Sequence, residues 1–200
     1  MHLFDTIKSD NLLPLDGDAY YYGKIFNANE SLQYCNLLLD LINWQNDEVV
    51  IFGKKIITNR KVAFYAASAD INYKYSKITK NTAVFIPVLL EIKEKIEMIT
   101  HQTFNSCLLN LYQNGNEGMG WHSDNERELK PNGTIASISF GAERNFSFKH
   151  NNTKQRIAIK LENGSLLTME KEIQKFWRHS MPKSAKIMTP RINLTFRTIV

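Results

Sequence analysis

The chain has 200 residues, 43% of them hydrophobic and 22% charged, which is the make-up of one ordinary globular domain large enough to bury a core. Its two cysteines, Cys35 and Cys107, exclude a disulfide framework and read as buried free thiols of a reducing compartment. The formal net charge of +5 permits a polyanionic partner without requiring one. No stretch approaches a membrane span, and Met1–Ile7 is too short and too acidic for a signal peptide. The expectation is a monomer with no membrane partner, cytoplasmic in a bacterium or nuclear in a eukaryote.

The first 15 residues form an arm. Tyr20–Phe26 reads as a strand, and Asn27 or Asn29 then caps a helix through Leu32, Leu37, Leu38, Leu41 and Ile42 that ends near Trp44. Val49–Phe52 is a strand entering Gly53–Ile57, and Val62–Tyr65 is another. Pro87 opens a helix in which Val88, Leu89, Ile92, Ile96 and Ile99 recur at helical spacing between lysines and glutamates. After Thr103 the pattern shifts to short alternating segments rich in β-branched and aromatic residues, separated by Gly/Asn turns. They are 104–112, 134–140, 145–149, 156–161, 165–169, 177–181 and 191–199. The fold class is α+β, mainly β. A jelly roll closes about eight such strands, with the two upstream helices on one face.

His122-Ser123-Asp124 places two metal-capable side chains at i and i+2, which share a face on an extended strand. A solvated loop is the simpler reading of so short a triplet. The third ligand candidate is His179, within Phe176-Trp-Arg-His-Ser-Met-Pro182. The chain has five histidines. His2 lies in the arm, His101 ends a helix, where a cation suits the dipole, and His150 sits in a polar turn. Only His122 and His179 lie in strand-like surroundings beside a tryptophan. Two histidines and one carboxylate are the facial ligand set of non-haem Fe(II) oxygenases. A zinc hydrolase could use the same donors, and a pocket for a dicarboxylate would separate the two readings.

The last strand supplies such a pocket. Arg191, Asn193, Thr195 and Arg197 alternate with Ile192, Leu194 and Phe196, so one face carries two cations, an amide and a hydroxyl. Asn110 and Tyr112 repeat the alternation beside Leu109 and Leu111. A solvent-facing amphipathic strand is the alternative. Arginine binds carboxylate through paired hydrogen bonds that lysine does not reproduce.

Together, His122-Ser-Asp124, His179, Pro190-Arg-Ile-Asn-Leu-Thr-Phe-Arg197, Asn110-Leu-Tyr112 and Ile135-Ala-Ser-Ile-Ser-Phe-Gly141 resemble the AlkB family of Fe(II)/2-oxoglutarate dioxygenases, from about Val49 to the C-terminus. The resemblance implies a double-stranded β-helix at about 103–200 and a nucleotide-recognition lid at about 45–80, within a single domain of residues 1–200. It implies Fe(II) on His122, Asp124 and His179, with 2-oxoglutarate and O2 as cosubstrates. Arg191 with Tyr112 would take the distal carboxylate, and Asn110, Asn193, Thr195 and Arg197 would line the proximal end or brace the site. The implied activity is oxidative demethylation of bases such as 1-methyladenine and 3-methylcytosine, releasing formaldehyde and succinate. Alkylated DNA, duplex or single-stranded, is the implied partner, with RNA or protein demethylation and a non-enzymatic nucleic-acid reader as alternatives.

Within the lid, Ile51-Phe52-Gly53-Lys54 resembles a hairpin pushed into the base stack by members acting on duplex DNA, with a core residue as the alternative reading of Phe52. Tyr73 and Tyr75 match a segment lining the base pocket, Arg60 also matches the family, and Asn125 and Glu126 would face the base. Many relatives carry Asp where this chain has Asn125. Arg144, Lys149, Lys154 and Arg156 fall on one hairpin, as phosphate contacts or as a solvated loop.

Overall fold

The computed structural model describes residues 9–51, 54–71, 73–75, 78–80 and 82–200. For residues 49–51, 54–55, 73–75 and 78–80 the description extends to the backbone alone. Strand β1 (Asp18–Lys24) leads into helix α1 (Ala28–Leu41), and β2 (Gln45–Ile51) pairs with the long β3 (Lys54–Ala66). Three short strands follow, β4 (Tyr73–Tyr75), β5 (Ile78–Lys80) and β6 (Thr82–Val84), and then helix α2 (Pro87–Thr100). The rest is β7 (Ser106–Tyr112), β8 (Met119–His122), β9 (Ile135–Gly141), β10 (Arg144–His150), β11 (Arg156–Leu161), β12 (Ser165–Glu170), the one-turn α3 (Ile173–Phe176), β13 (Trp177–Met181) and β14 (Arg191–Arg197).

Asn27 is the cap of α1. Its side chain accepts from the Glu30 N–H while the Glu30 carboxylate accepts from the Asn27 N–H, which satisfies two donors that a helix start otherwise leaves unpaired. Helix α2 opens with Pro87 at its first position, where the missing N–H costs nothing. It closes on His101 in the left-handed conformation (φ 55°). Among the described residues no helix is long and apolar enough to cross a membrane.

Strands β7 to β14 are divided between two facing sheets, β7, β9, β12 and β14 in the larger and β8, β10, β11 and β13 in the smaller. The larger sheet runs β1-β12-β9-β14-β7-β3-β2 and the smaller β11-β10-β13-β8, the arrangement of a jelly roll extended at both edges of its larger sheet. Alternation along the strands decides which face meets what. Leu109, Leu111, Ile138, Phe140, Ile192, Leu194 and Phe196 point outward and form one core with Leu38 of α1 and Leu89, Ile92 and Ile96 of α2. The intervening residues, polar along β14 and β9, point inward, between the sheets. The polar face of β14 is therefore buried and does not face solvent.

Phe140 is fully buried, with its ring 5.5 Å from Phe26 and 5.8 Å from Tyr34. Phe140→Ala will cost about 3–5 kcal/mol, read as a lower denaturation midpoint at unchanged slope. A second core of Leu13, Phe148, Leu167, Met169 and Trp177 closes the other end of the barrel. The described part of the arm touches this core. Trp177 Nε1 donates to the Leu15 carbonyl and Leu13 is buried, so the chain at 13–15 is anchored to the barrel.

Candidate active site

The inner faces of β7 and β14 meet in register. Arg191 lies opposite Tyr112, and Asn193 opposite Asn110. On the facing sheet His179 of β13 is paired with His122 of β8. Asn110, Tyr112, Arg191, Asn193, Thr195 and Arg197 thus line one cavity with His122, Asp124 and His179.

His122, Asp124 and His179 offer ligand atoms within 4.8 Å of one another. His122 Nε2 is 3.7 Å and His179 Nε2 4.0 Å from Asp124 Oδ1, separations that a shared ion with bonds of about 2.1 Å can bridge. Each donor is aimed by a neighbour. His122 Nδ1 lies 2.8 Å from the Gly120 carbonyl, so it carries the proton and leaves Nε2 free for metal. Arg197 Nη2 donates to Asp124 Oδ2 at 2.8 Å, which turns Oδ1 toward the histidines. His179 stacks on Phe146 at 5.4 Å.

One expectation is corrected. Strand β8 ends at His122, and Asp124 lies beyond it. The two ligands converge because tertiary contacts place Asp124: the Arg197 pair and the bond from the Asp124 N–H to Gln174 Oε1 at 2.9 Å.

Electrostatics favours metal-ready protonation states. Burial, with His122 adding to it, holds His179 down to about pKa 3, so its imidazole is neutral. Burial alone would raise the Asp124 carboxyl, but Arg197, His179 and His122 outweigh it and hold it below the usual carboxylate range. Burial pushes the thiols of Cys35 and Cys107 up, and neither is poised as a nucleophile.

Arg191 is 2% exposed and donates through Nη2 to Ser139 Oγ at 2.9 Å, while its Nε has no partner among the described residues. Burial brings its pKa down to about 10, with nearby Arg144 contributing in the same direction. A buried guanidinium without a carboxylate is costly unless an anion joins it. Tyr112 is its neighbour, with the ring centroid 5.5 Å from the guanidinium carbon. Asn110 Oδ1 is likewise buried without a partner among the described residues, and Asn193 donates to Ser137 Oγ and to the Ile138 carbonyl. The donor set fits a hard divalent ion beside a small dicarboxylate.

The remaining residues singled out in the sequence are more dispersed. Asn125 and Glu126 line an adjoining cleft of about 590 Å³ that shares Asp124 and Arg197. Arg60 is buried, paired with Asp47 and 5.9 Å from the Tyr112 ring. Lys54 begins β3, while Tyr73 and Tyr75 lie on β4 opposite Lys80 and Ile78. Phe52 and Gly53 lie outside the described residues. Arg144 is not on the surface with Lys149, Lys154 and Arg156. It is 1% exposed, and its Nη2 donates to the carbonyls of Glu117 and Pro182, tying two loops at the cavity end. Sequence reasoning missed Gln174, Phe146 and the inward role of Arg144, because strand periodicity carries no signal for which distant elements a side chain will meet.

Residues 18–197 match the model of the 2OG-Fe(II) oxygenase superfamily, and the chain belongs to that superfamily. It is a dioxygenase that uses Fe(II), 2-oxoglutarate and O2. Its relatives there are AlkB proteins. The chain is 41% identical over 187 residues to the Homo sapiens protein named DNA oxidative demethylase ALKBH2, covering 90% of this chain and 71% of that one. It is 39% identical over 153 residues to human alpha-ketoglutarate-dependent dioxygenase alkB homolog 3, covering 72% of this chain and 54% of the relative. The solved structure of OsALKBH1 superposes with a TM-score of 0.62 at 15% identity over 93% of this chain and 99% of that one, a likeness of fold.

Proposed function

We propose that this chain removes methyl groups from N-alkylated bases of DNA, 1-methyladenine and 3-methylcytosine among them. One observation carries the reading. In a chain 41% identical to a named DNA oxidative demethylase, His122, Asp124 and His179 converge beside the buried, carboxylate-free Arg191. Bound iron, 2-oxoglutarate and O2 would supply the oxidant that converts an N-methyl group to N-hydroxymethyl, with 2-oxoglutarate leaving as succinate and carbon dioxide. The hydroxymethyl group then leaves as formaldehyde, and its hydroxyl proton departs while the C–N electron pair returns to the base.

The chain's own residues bind and orient. Arg191 and Tyr112 hold the distal carboxylate. Asn110, Asn193 and Thr195 line the proximal end, and Arg197 fixes the Asp124 carboxylate. A target base must leave its stack to reach the site. Asn125 and Glu126 would meet its polar edge, and the carboxylate of Glu126 suits a base made cationic by methylation. Tyr73 and Tyr75 would stack on it, and Arg60 would brace the pocket through Tyr112. Phe52, Gly53 and Lys54 would fill the gap left in the duplex. All of these residues belong to one chain, so a monomer suffices.

Formaldehyde release from oligonucleotides bearing one 1-methyladenine tests the reading, in duplex DNA, single-stranded DNA and RNA. Release from DNA is expected. Phe52→Ala should slow the duplex reaction by about tenfold or more, the unstacking of a step being worth a few kcal/mol, and leave the single-strand rate unchanged. Equal rates on all three, indifferent to Phe52→Ala, would remove the wedge. Release from none would remove the function.

A further inference from the structure

Three of the chain's six methionines, Met119, Met169 and Met181, line the cavity that holds His122, Asp124 and His179. The strands explain two of them. Met119 of β8 is paired with Met181 of β13, next to the His122–His179 pair, and the register slips between the two pairs. Three steps along β8 therefore answer two along β13, and this bulge turns Met119 and His122 to one side although they stand three apart. On β13 ordinary alternation does the same for His179 and Met181.

Packing accounts for the three side chains unequally. Met169 belongs to the second core with Phe148 and Trp177, and its sulfur accepts from Gln174 Nε2 at 3.7 Å. Met119 is half-buried, and its sulfur accepts from Arg60 Nη1 at 3.1 Å. Met181 is 2% exposed, yet it belongs to none of the apolar cores, and among the described residues nothing donates to its sulfur. A buried thioether with free lone pairs thus stands two residues from His179, in the cavity whose donor set fits the ion.

We propose that Met181 is an oxidation site of the chain, its thioether accepting an oxygen atom in turnovers that proceed with no substrate in place. One oxygen atom of O2 goes to 2-oxoglutarate, which leaves as succinate and carbon dioxide. The other forms the S–O bond of methionine sulfoxide. The sulfur lone pair makes that bond, so no C–H bond breaks and no proton moves. Two electrons from the sulfur and two from 2-oxoglutarate account for the reduction of O2. The sulfoxide turns an apolar side chain into a polar one, and the change is reversible by reduction. The inference rests on the oxygenase chemistry and on no particular substrate, so its failure would leave the proposed demethylation standing.

The experiment incubates the full chain with Fe(II), 2-oxoglutarate and O2, with catalase present and nucleic acid absent, and maps added oxygen by mass spectrometry of tryptic peptides. His179–Lys183 contains Met181 and no other sulfur. Met98 and Met188 are 71% and 76% exposed and serve as internal controls, since an oxidant diffusing through solvent meets them first. His179–Lys183 should gain the mass of one oxygen atom as succinate accumulates, while the peptides of Met98 and Met188 gain little. The gain should vanish when 2-oxoglutarate is left out. Met181→Leu, a nearly volume-conserving swap, should abolish it, which assigns the atom to the sulfur and not to His179. Added oxygen that persists without 2-oxoglutarate or in Met181→Leu, or that falls equally on Met98 and Met188, would overturn the proposal. So would an unmodified Met181, whether or not succinate has formed.

Discussion

Asp124→Ala will lower succinate formation by more than about 10³-fold, the loss of several kcal/mol that metal catalysis supplies. Two effects combine. One of three donors disappears, and the second carboxylate oxygen, which accepts from Arg197 at 2.8 Å, goes with it. The buried guanidinium then lacks its anion, a change that is costly in its own right. Asp124→Asn separates the two effects. It keeps the shape and one acceptor for Arg197 but not the charge, so it should recover stability without recovering the rate. Succinate assays and thermal melts on both variants check this. A tenth or more of wild-type activity in Asp124→Ala would show that the carboxylate is not a ligand.

Arg191→Ala will weaken 2-oxoglutarate binding by roughly 30- to 1000-fold, the range of about 2–4 kcal/mol for removing one partner of a buried charged pair. The effect should fall mainly on KM, since in the proposed role Arg191 would hold the end of the cosubstrate away from the reacting carbon. Arg191→Lys should recover little, because lysine keeps the charge but not the fork. A 2-oxo acid lacking the distal carboxylate gives the sharper comparison. The wild type should prefer 2-oxoglutarate strongly and Arg191→Ala hardly at all. An unchanged preference would release Arg191 from the clamp and leave its buried cation without an explanation.

What the sequence revealed of this site follows from strand periodicity. Alternation in β14 and β7 sets Arg191, Asn193, Thr195 and Arg197 on one face and Asn110 and Tyr112 on the matching face of the neighbour, and the register makes them opposite. His179 was legible by elimination among five histidines. Contacts between residues far apart in the chain were not legible. Gln174 reaches Asp124 over 50 residues, Phe146 stacks on His179 from the adjacent strand, and Arg144 turns inward against two carbonyls. Nor does alternation say whether a polar face meets water or a cavity. That is decided by where α1 and α2 pack, and they take the apolar side. The strands β4 to β6 are three residues each, too short to leave a pattern.

Anaerobic titration of the wild-type chain with Fe(II) and 2-oxoglutarate, followed by visible absorption, tests most directly that one cavity holds the ion and the diacid together. A metal-to-ligand charge-transfer band should appear only when both are present and saturate at one equivalent of each. It should be absent in Asp124→Ala and require far more 2-oxoglutarate in Arg191→Ala. No band in the wild type, or an undiminished band in Asp124→Ala, would contradict the account.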